Sequence, residues 1–353
     1  ALSTHTQRWA RAYADVGDDV HVVSIRNARI EGARVHCIRV GTENNHRTLP
    51  TLLSYARLLV AARRTMRRIA PDVIHAHYSV THGTIAWVTR AHPVVVSVWG
   101  TDVHPAPRRL VRGVLDRLNR AALRHADRVT ATSEYLATRV ADLTGGSVRA
   151  TVVPFGVDPA HFPVTQRRRA VPVTFGFVKQ LRARYRPDLP VAALARLAAE
   201  GMDCRLIVVG DGPLRREVAT QIRSLELGSR VTLRGRIDHD RLPELLSQID
   251  VLVNPSSEES FGVILVEAAA SGIPSVAAAV GGVPEVVLDG RTGLLVPADD
   301  LPALTDAMRR LADDPALRER LGRASAERAR QRFAWQGNVD AMRRVLRGAM
   351  EAP

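Results

Sequence analysis

Short apolar runs and longer amphipathic stretches alternate along this chain from end to end. β-branched runs predict strands at 20–24, 35–40, 73–75, 94–98, 129–131 and 150–153, and the amphipathic stretches 52–69 and 110–126 predict helices between them. The second half repeats the rhythm, with strands predicted at 173–178, 205–209, 230–233, 251–253, 275–278 and 293–296. Apolar strands joined by helices form parallel sheets covered on both faces. The fold class that follows is α/β, with two doubly wound, Rossmann-like domains facing each other across a cleft. Ligands are expected at the carboxyl ends of their strands.

The segment 156–172, with three prolines, a basic run and no periodic apolar face, reads as a linker. It suggests a first domain over 1–160 and a second over 161–334, with a C-terminal helix over 335–353 crossing back to the first. The chain opens on a helix-like segment where a doubly wound domain normally opens on a strand. An N-terminal truncation that removes the first strand and its loop is the favoured explanation.

The chain has 353 residues, enough for two ordinary domains, and its 46% hydrophobic content suits a globular protein. Aromatics at 4% leave no stacking platform for single-stranded nucleic acid, and no apolar run approaches a membrane span of about 20 residues. The N-terminus lacks the apolar core of a signal peptide. A cytoplasmic protein is expected, with peripheral contact at the inner face of the membrane as an option. Cys37 and Cys204 read as buried free thiols. The net charge is +14, carried almost wholly by arginine, because Lys179 is the single lysine. Coding bias explains the arginine, while attraction to anions such as phosphates is the functional alternative. In either case the lone lysine stands out.

Two acids carry the candidate chemistry. Glu259 and Glu267 are separated by seven residues in NPSSEESFGVILVEAAASGIP, the first in a polar loop and the second in an apolar helix opening after Gly262. A helix N-terminus attracts phosphate, and a glycine lets a ligand approach the backbone. Carboxylates on either side suit sugar hydroxyls. Glu267 in so apolar a helix needs a partner in any reading, whereas Glu259 could equally be an exposed loop acid beside Glu258. Lys179 and Arg184, in the loop after the strand at 173–178, could clamp a diphosphate or could form a solvated basic loop. Asp238 and Asp240 have the spacing of a metal-binding pair but precede a helix, where an N-cap is the simpler reading. The arginine-rich stretch 108–124 fits an ordinary surface helix better than a membrane contact.

These motifs resemble the family 4 glycosyltransferases, retaining enzymes of the two-Rossmann architecture called GT-B. The matching residues are Glu259, Phe261, Gly262, Glu267, Gly272 and Pro274, followed by Gly281, Gly282 and Glu285, then by Asp289, Gly290 and Gly293. In the phosphate loop the family's usual Arg and Lys are exchanged, as Lys179 and Arg184, and its following Gly gives way to Tyr185 and Arg186. The first domain resembles the family through His77 in PDVIHAHYSVTHG, through Gly100, Thr101 and Asp102, and through VVPFGVD, with Phe155 where Asn is common.

The resemblance implies that Glu267 binds the ribose and Glu259 the transferred sugar. Ser260, Phe261, Gly262, Val263 and Gly210 would line the donor pocket, and Lys179 and Arg184 would stabilise the leaving diphosphate. His77 would assist the reaction. Thr6, at the end of the family's glycine-containing loop, would join His77, Thr101 and Asp102 on the acceptor side. It further implies a nucleotide-diphosphate-sugar donor (UDP- or GDP-linked), a hydroxyl acceptor (glycan, lipid or small molecule), an α linkage, and neither metal nor other cofactor. The catalytic set is thus His77, Lys179, Arg184 and Glu259. A sugar-nucleotide epimerase of the same fold and a catalytically silent sugar-nucleotide-binding protein are the alternatives.

Overall fold

The structure, a computed structural model, describes residues 3–38, 52–100, 102–103, 109–164 and 172–351, with backbone alone at 52–55 and 109–112. Two compact units emerge, one made of residues 1–153 and 339–353 and the other of 154–338.

In the first unit β1 (Val20–Ser24) and β2 (Ala33–Cys37) form a parallel pair of their own. A second parallel sheet holds β3 (Ile74–His77), β4 (Val94–Val98), β5 (Arg128–Ala131) and β6 (Ala150–Val152), in that order. The core lies against β4, whose five residues are all buried, and against Leu123, Leu136 and Val140 from the covering helices. Helix Arg109–His125 buries Ala122 and Leu123 while Val114 stays exposed, the pattern of a surface helix packed along one face. Among the described residues no helix is long and apolar enough to cross a membrane. Neither cysteine is paired: Cys204 is buried as expected, but Cys37, the last residue of β2, is exposed.

The second unit has one six-stranded parallel sheet of β7 (Val173–Val178), β8 (Cys204–Val209), β9 (Val231–Gly235), β10 (Val251–Asn254), β11 (Ser275–Ala278) and β12 (Gly293–Val296). Its spatial order is β9-β8-β7-β10-β11-β12. The chain winds outward in one direction from β7 and, from β10, in the other, so the β7/β10 boundary is the topological switch point where ligands of such sheets bind. Phe175 and Phe177 of β7 are fully buried among Leu194, Leu197, Leu206 and Met308.

The unit boundary falls at 153/154 rather than at the 160/161 expected from the proline-rich segment. Backbone bonds explain the difference: Val157 N–H donates to the Phe333 carbonyl and Trp335 N–H to the Val157 carbonyl. Asn338 Nδ2 also donates to the buried Pro154 carbonyl at 3.0 Å. Helix Trp335–Met350 is accordingly divided, and its residues from 339 onward belong to the first unit through Arg343 to Asp18 and Arg128 to the Gly348 carbonyl. The capping expectation also needs correction. Asp238 sits at the N-cap of the single turn His239–Arg241, but its side chain makes no capping hydrogen bond.

Gly210 shows how tightly the strand ends are packed. It has φ of +134°, and a Cβ there would lie 1.9 Å from the Lys179 carbonyl oxygen. Gly210→Ala is therefore expected to cost roughly 3 kcal/mol or more of unfolding free energy, since both strain and a backbone clash must be relieved. Chemical denaturation checks it, and a loss under about 1 kcal/mol would contradict this packing.

Candidate active site

The switch point brings together two loops far apart in sequence. Lys179 follows β7, and the polar loop 255–262 follows β10, the neighbouring strand. Lys179 Nζ donates to Glu259 Oε2 across 80 positions of sequence, with both side chains largely buried. The loops are also joined through backbone, because the Arg184 carbonyl accepts from Ser257 N–H at 2.8 Å.

Tyr185 has a role that the sequence did not disclose. Lys179 Nζ lies 4.8 Å and the Arg184 guanidinium 5.0 Å from the centroid of its ring, so one aromatic ring gathers both cations. Next to it Arg186 takes the left-handed conformation, φ +48° and ψ +55°, in the stretch where the family has glycine. Its guanidinium pairs with Asp188 at 2.8 Å and with Asp299, contacts that offset the strain of a non-glycine residue there.

On the other side Gly262, at φ +93°, caps helix Val263–Ala270 and opens it directly after the loop. The loop lies close beneath it, since a Cβ on Gly262 would come within 3.7 Å of Glu259 Cγ. Gly282 is equally constrained: a Cβ would meet the Ser260 carbonyl at 2.3 Å. Phe261, whose backbone N–H is the group expected to meet the donor, turns its ring inward against Phe155 at 6.1 Å and Phe333 at 5.7 Å. The same contact accounts for Phe155 in place of Asn. Glu267 is 5% exposed, and the partner its burial demands is His239, whose Nε2 lies 2.8 Å from Oε1. Neither His239 nor Arg215 was identified from sequence. Arg215 Nη1 is buried without a hydrogen-bond partner, and its guanidinium packs against Gly235 at the end of β9. Its position just after Gly210-Asp211-Gly212-Pro213 was the available signal.

The expected acceptor-side residues lie in the first unit. Thr6 is inside the first turn of helix Thr4–Asp15, not in a loop, and still reaches His77, with Oγ1 3.0 Å from Nδ1. Thr101 lies outside the described residues. Asp102 is buried and organises its own loop: its carboxylate accepts from the backbone N–H groups of Ser79 (3.1 Å), Trp99 (3.3 Å) and Gly100 (2.9 Å), and from the Ser79 hydroxyl. Burial raises its pKa, and these donors counter the shift. His77 ends β3 and leads into a π-helical turn, Tyr78–Gly83, whose first residue has φ of +70°. Irregularities of this kind gather at functional sites.

His77 is one link in a chain of polar groups. Its Nε2 lies 3.3 Å from His75 Nδ1, His75 Nε2 lies 2.6 Å from Ser97 Oγ, and Ser97 Oγ lies 2.6 Å from Thr130 Oγ1. The Tyr13 hydroxyl reaches His75 Nδ1 at 2.9 Å, and the Trp99 ring centroid is 4.4 Å from that of His77. Burial pushes His75 down to about 3, and burial with neighbouring histidines holds His77 well below its ordinary value. Both rings are neutral near pH 7.

Stability should follow. The unfolded chain protonates His75 near its ordinary value of 6.5, the folded chain only near 3. Between these values the unfolded state binds more protons, so stability is fully present above about 6.5 and is lost as pH falls toward 3. Lowering the pH to about 5 should cost roughly 2 kcal/mol from this group. Urea midpoints measured at about pH 7.5 and 5 check this, and His75→Gln should shallow the dependence; an unchanged slope in the variant would exclude His75 as its source.

Comparison with known proteins identifies the family and the fold. The family model "Glycosyl transferases group 1" matches residues 165–328, and "Glycosyl transferase 4-like" matches 1–133. The glycogen synthase of Mycobacterium tuberculosis (strain CDC 1551 / Oshkosh) is 32% identical over 295 residues, covering 81% of this chain and 70% of that protein. A D-inositol 3-phosphate glycosyltransferase from Kineococcus radiotolerans is 32% identical over 321 residues, covering 79% and 72%. Among solved structures, sucrose-phosphate synthase from Thermosynechococcus elongatus superposes with a TM-score of 0.84 at 24% identity, over 97% of this chain and 92% of that one. Anabaena HepE, solved with UDP and glucose, gives 0.80 at 22% identity over 97% and 94%. With both halves matched and relatives above 30% identity covered over two thirds of their length, this chain is a glycosyltransferase, a member of family 4 with the GT-B fold.

Proposed function

We propose that this glycosyltransferase acts with retention, moving a sugar from a UDP- or GDP-linked donor to a hydroxyl acceptor to form an α linkage, and needs no metal. The observation that carries the reading is the Lys179–Glu259 contact at the switch point, beside a helix N-terminus and a buried Glu267. Cations, open backbone N–H groups and two carboxylates together match the parts of a nucleotide sugar. The names of the relatives, a glycogen synthase and a D-inositol 3-phosphate glycosyltransferase, support a hydroxyl acceptor.

In this reading Glu267, held by His239, accepts from the ribose hydroxyls. Glu259 orients the sugar, and the N–H groups from Phe261 to Val263 meet the diphosphate. As the bond from the anomeric carbon to the phosphate oxygen breaks, charge builds on the diphosphate, and Lys179 and Arg184 stabilise it in place of a metal. The acceptor oxygen forms its bond on the face being vacated, and its proton passes to the departing phosphate oxygen. His77 assists as a neutral group that positions the acceptor loop.

Lys179→Ala should lower kcat at least about tenfold with circular dichroism unchanged, whereas Glu267→Gln should raise the donor KM more than the acceptor KM. Normal turnover in the first variant, or equal KM effects in the second, would remove the corresponding role. Retention is tested by NMR of the product formed from an α-linked donor. An α-configured anomeric centre is expected, and a β product would overturn the proposed stereochemistry.

A further inference from the structure

We propose that His161, His239 and Asp240 form a divalent transition-metal site, of the zinc type, attached through His239 to the carboxylate that holds the ribose. One ligand atom from each residue lies within 4.8 Å of the other two, and among the described residues no other group of three His, Cys, Asp or Glu side chains meets that condition. A tetrahedral zinc centre with bonds of about 2.0 Å places its ligands about 3.3 Å apart. Closing the gap takes small side-chain rotations at His161 and Asp240, both of which are exposed. Two imidazoles and one carboxylate suit zinc, nickel or cobalt rather than the all-oxygen preference of magnesium or calcium.

The surroundings fit such a site. His239 and Asp240 are consecutive in the turn His239–Arg241, and the third ligand comes from the turn around Asp158–Phe162. The imidazoles of His161 and His239 lie nearly parallel, with centroids 6.1 Å apart. Buried Phe162 supports both edge-on, at 5.0 and 6.0 Å. A carboxylate can only accept, so His239 Nε2, 2.8 Å from Glu267, carries the proton in the neutral ring and Nδ1 carries the lone pair. We assign Nδ1 to the cation. A second ring nitrogen fixed by a carboxylate is the arrangement that orients histidine ligands in metal sites. An ion here would lock His239, and with it Glu267, in one orientation. Such an ion would be linked to Glu267 through His239 and would not be needed for bond breaking, so it is compatible with metal-independent transfer.

The metal site stands apart from the proposed function, while its coupling to the donor rests on it. Tag-free full-length protein is titrated with Zn²⁺ against a chromophoric chelator, beside His161→Ala and Asp240→Asn. One Zn²⁺ per chain is expected, weakened roughly tenfold or more in each variant. Equal affinity in wild type and both variants would overturn the site. UDP binding is then measured with and without Zn²⁺. A Zn²⁺-dependent change in affinity that His161→Ala abolishes supports the coupling, and UDP affinity indifferent to bound Zn²⁺ overturns it. A failure of UDP to bind under any condition would count against the donor reading and leave the metal site standing.

Discussion

The contact between Lys179 and Glu259 is the constraint around which the second unit is arranged. It requires β7 and β10 to be neighbours, which the strand order supplies, and it requires both loops to turn back over the sheet end. Placing an ammonium and a carboxylate in so sheltered a position is unfavourable unless each neutralises the other. The pair therefore holds the loops in register before any ligand arrives. In the proposed reaction one charge serves two tasks: Lys179 balances Glu259 in the free protein and meets a phosphate when the donor is bound. A preorganised cation of this kind needs little rearrangement during reaction, which is what makes electrostatic stabilisation effective.

The loop after β7 departs from the family pattern at several places, and the departures compensate one another. Exchanging Arg and Lys between 179 and 184 preserves charge at both ends. Replacing glycine would strain the turn, but the left-handed residue is Arg186, and its two carboxylate partners hold it there. The extra side chain at Tyr185 then provides the aromatic ring that both cations contact. A loop that lost one of these substitutions alone would lose charge, conformation or support.

The strands of both units were legible because apolar, β-branched runs with helices between them admit few other arrangements, and the ends of β1, β4, β7, β11 and β12 fall where the pattern places them. The acidic motif was legible because Glu259 and Glu267 sit at fixed distances from Gly262. Residues whose importance comes from tertiary contact were not legible. His239 is separated from Glu267 by 28 positions, and only the folded chain joins them. The unit boundary was misplaced because proline content marks a segment without regular structure, whereas membership is decided by hydrogen bonds such as those of Val157 with Phe333 and Trp335. The motif pointed to the backbone of Phe261, and the packing of its ring with Phe155 and Phe333 is a tertiary contact of the same kind.

The histidine network bears on the question of which group takes the acceptor proton. One assignment runs in a single direction from Thr6 to Thr130, with His77 and His75 each neutral and each carrying its proton on Nε2, while the Tyr13 hydroxyl shares the one lone pair of His75 Nδ1. Thr6 then donates to His77 Nδ1, His77 to His75 Nδ1, His75 to Ser97 and Ser97 to Thr130. The His77 carbonyl oxygen accepts from His82 Nδ1. Both ring nitrogens of His77 are thus engaged within the protein, and protonating the ring would reverse the bond with Thr6 and add charge to a desolvated cluster. A group so placed is a poor general base. Its value lies in rigidity: it fixes the end of β3 and the irregular turn beginning at Tyr78. In the proposed reaction the acceptor proton then goes to the leaving phosphate oxygen, which gains basicity at the moment the proton becomes acidic. The neutrality of this network thus favours a reaction in which the donor supplies its own base.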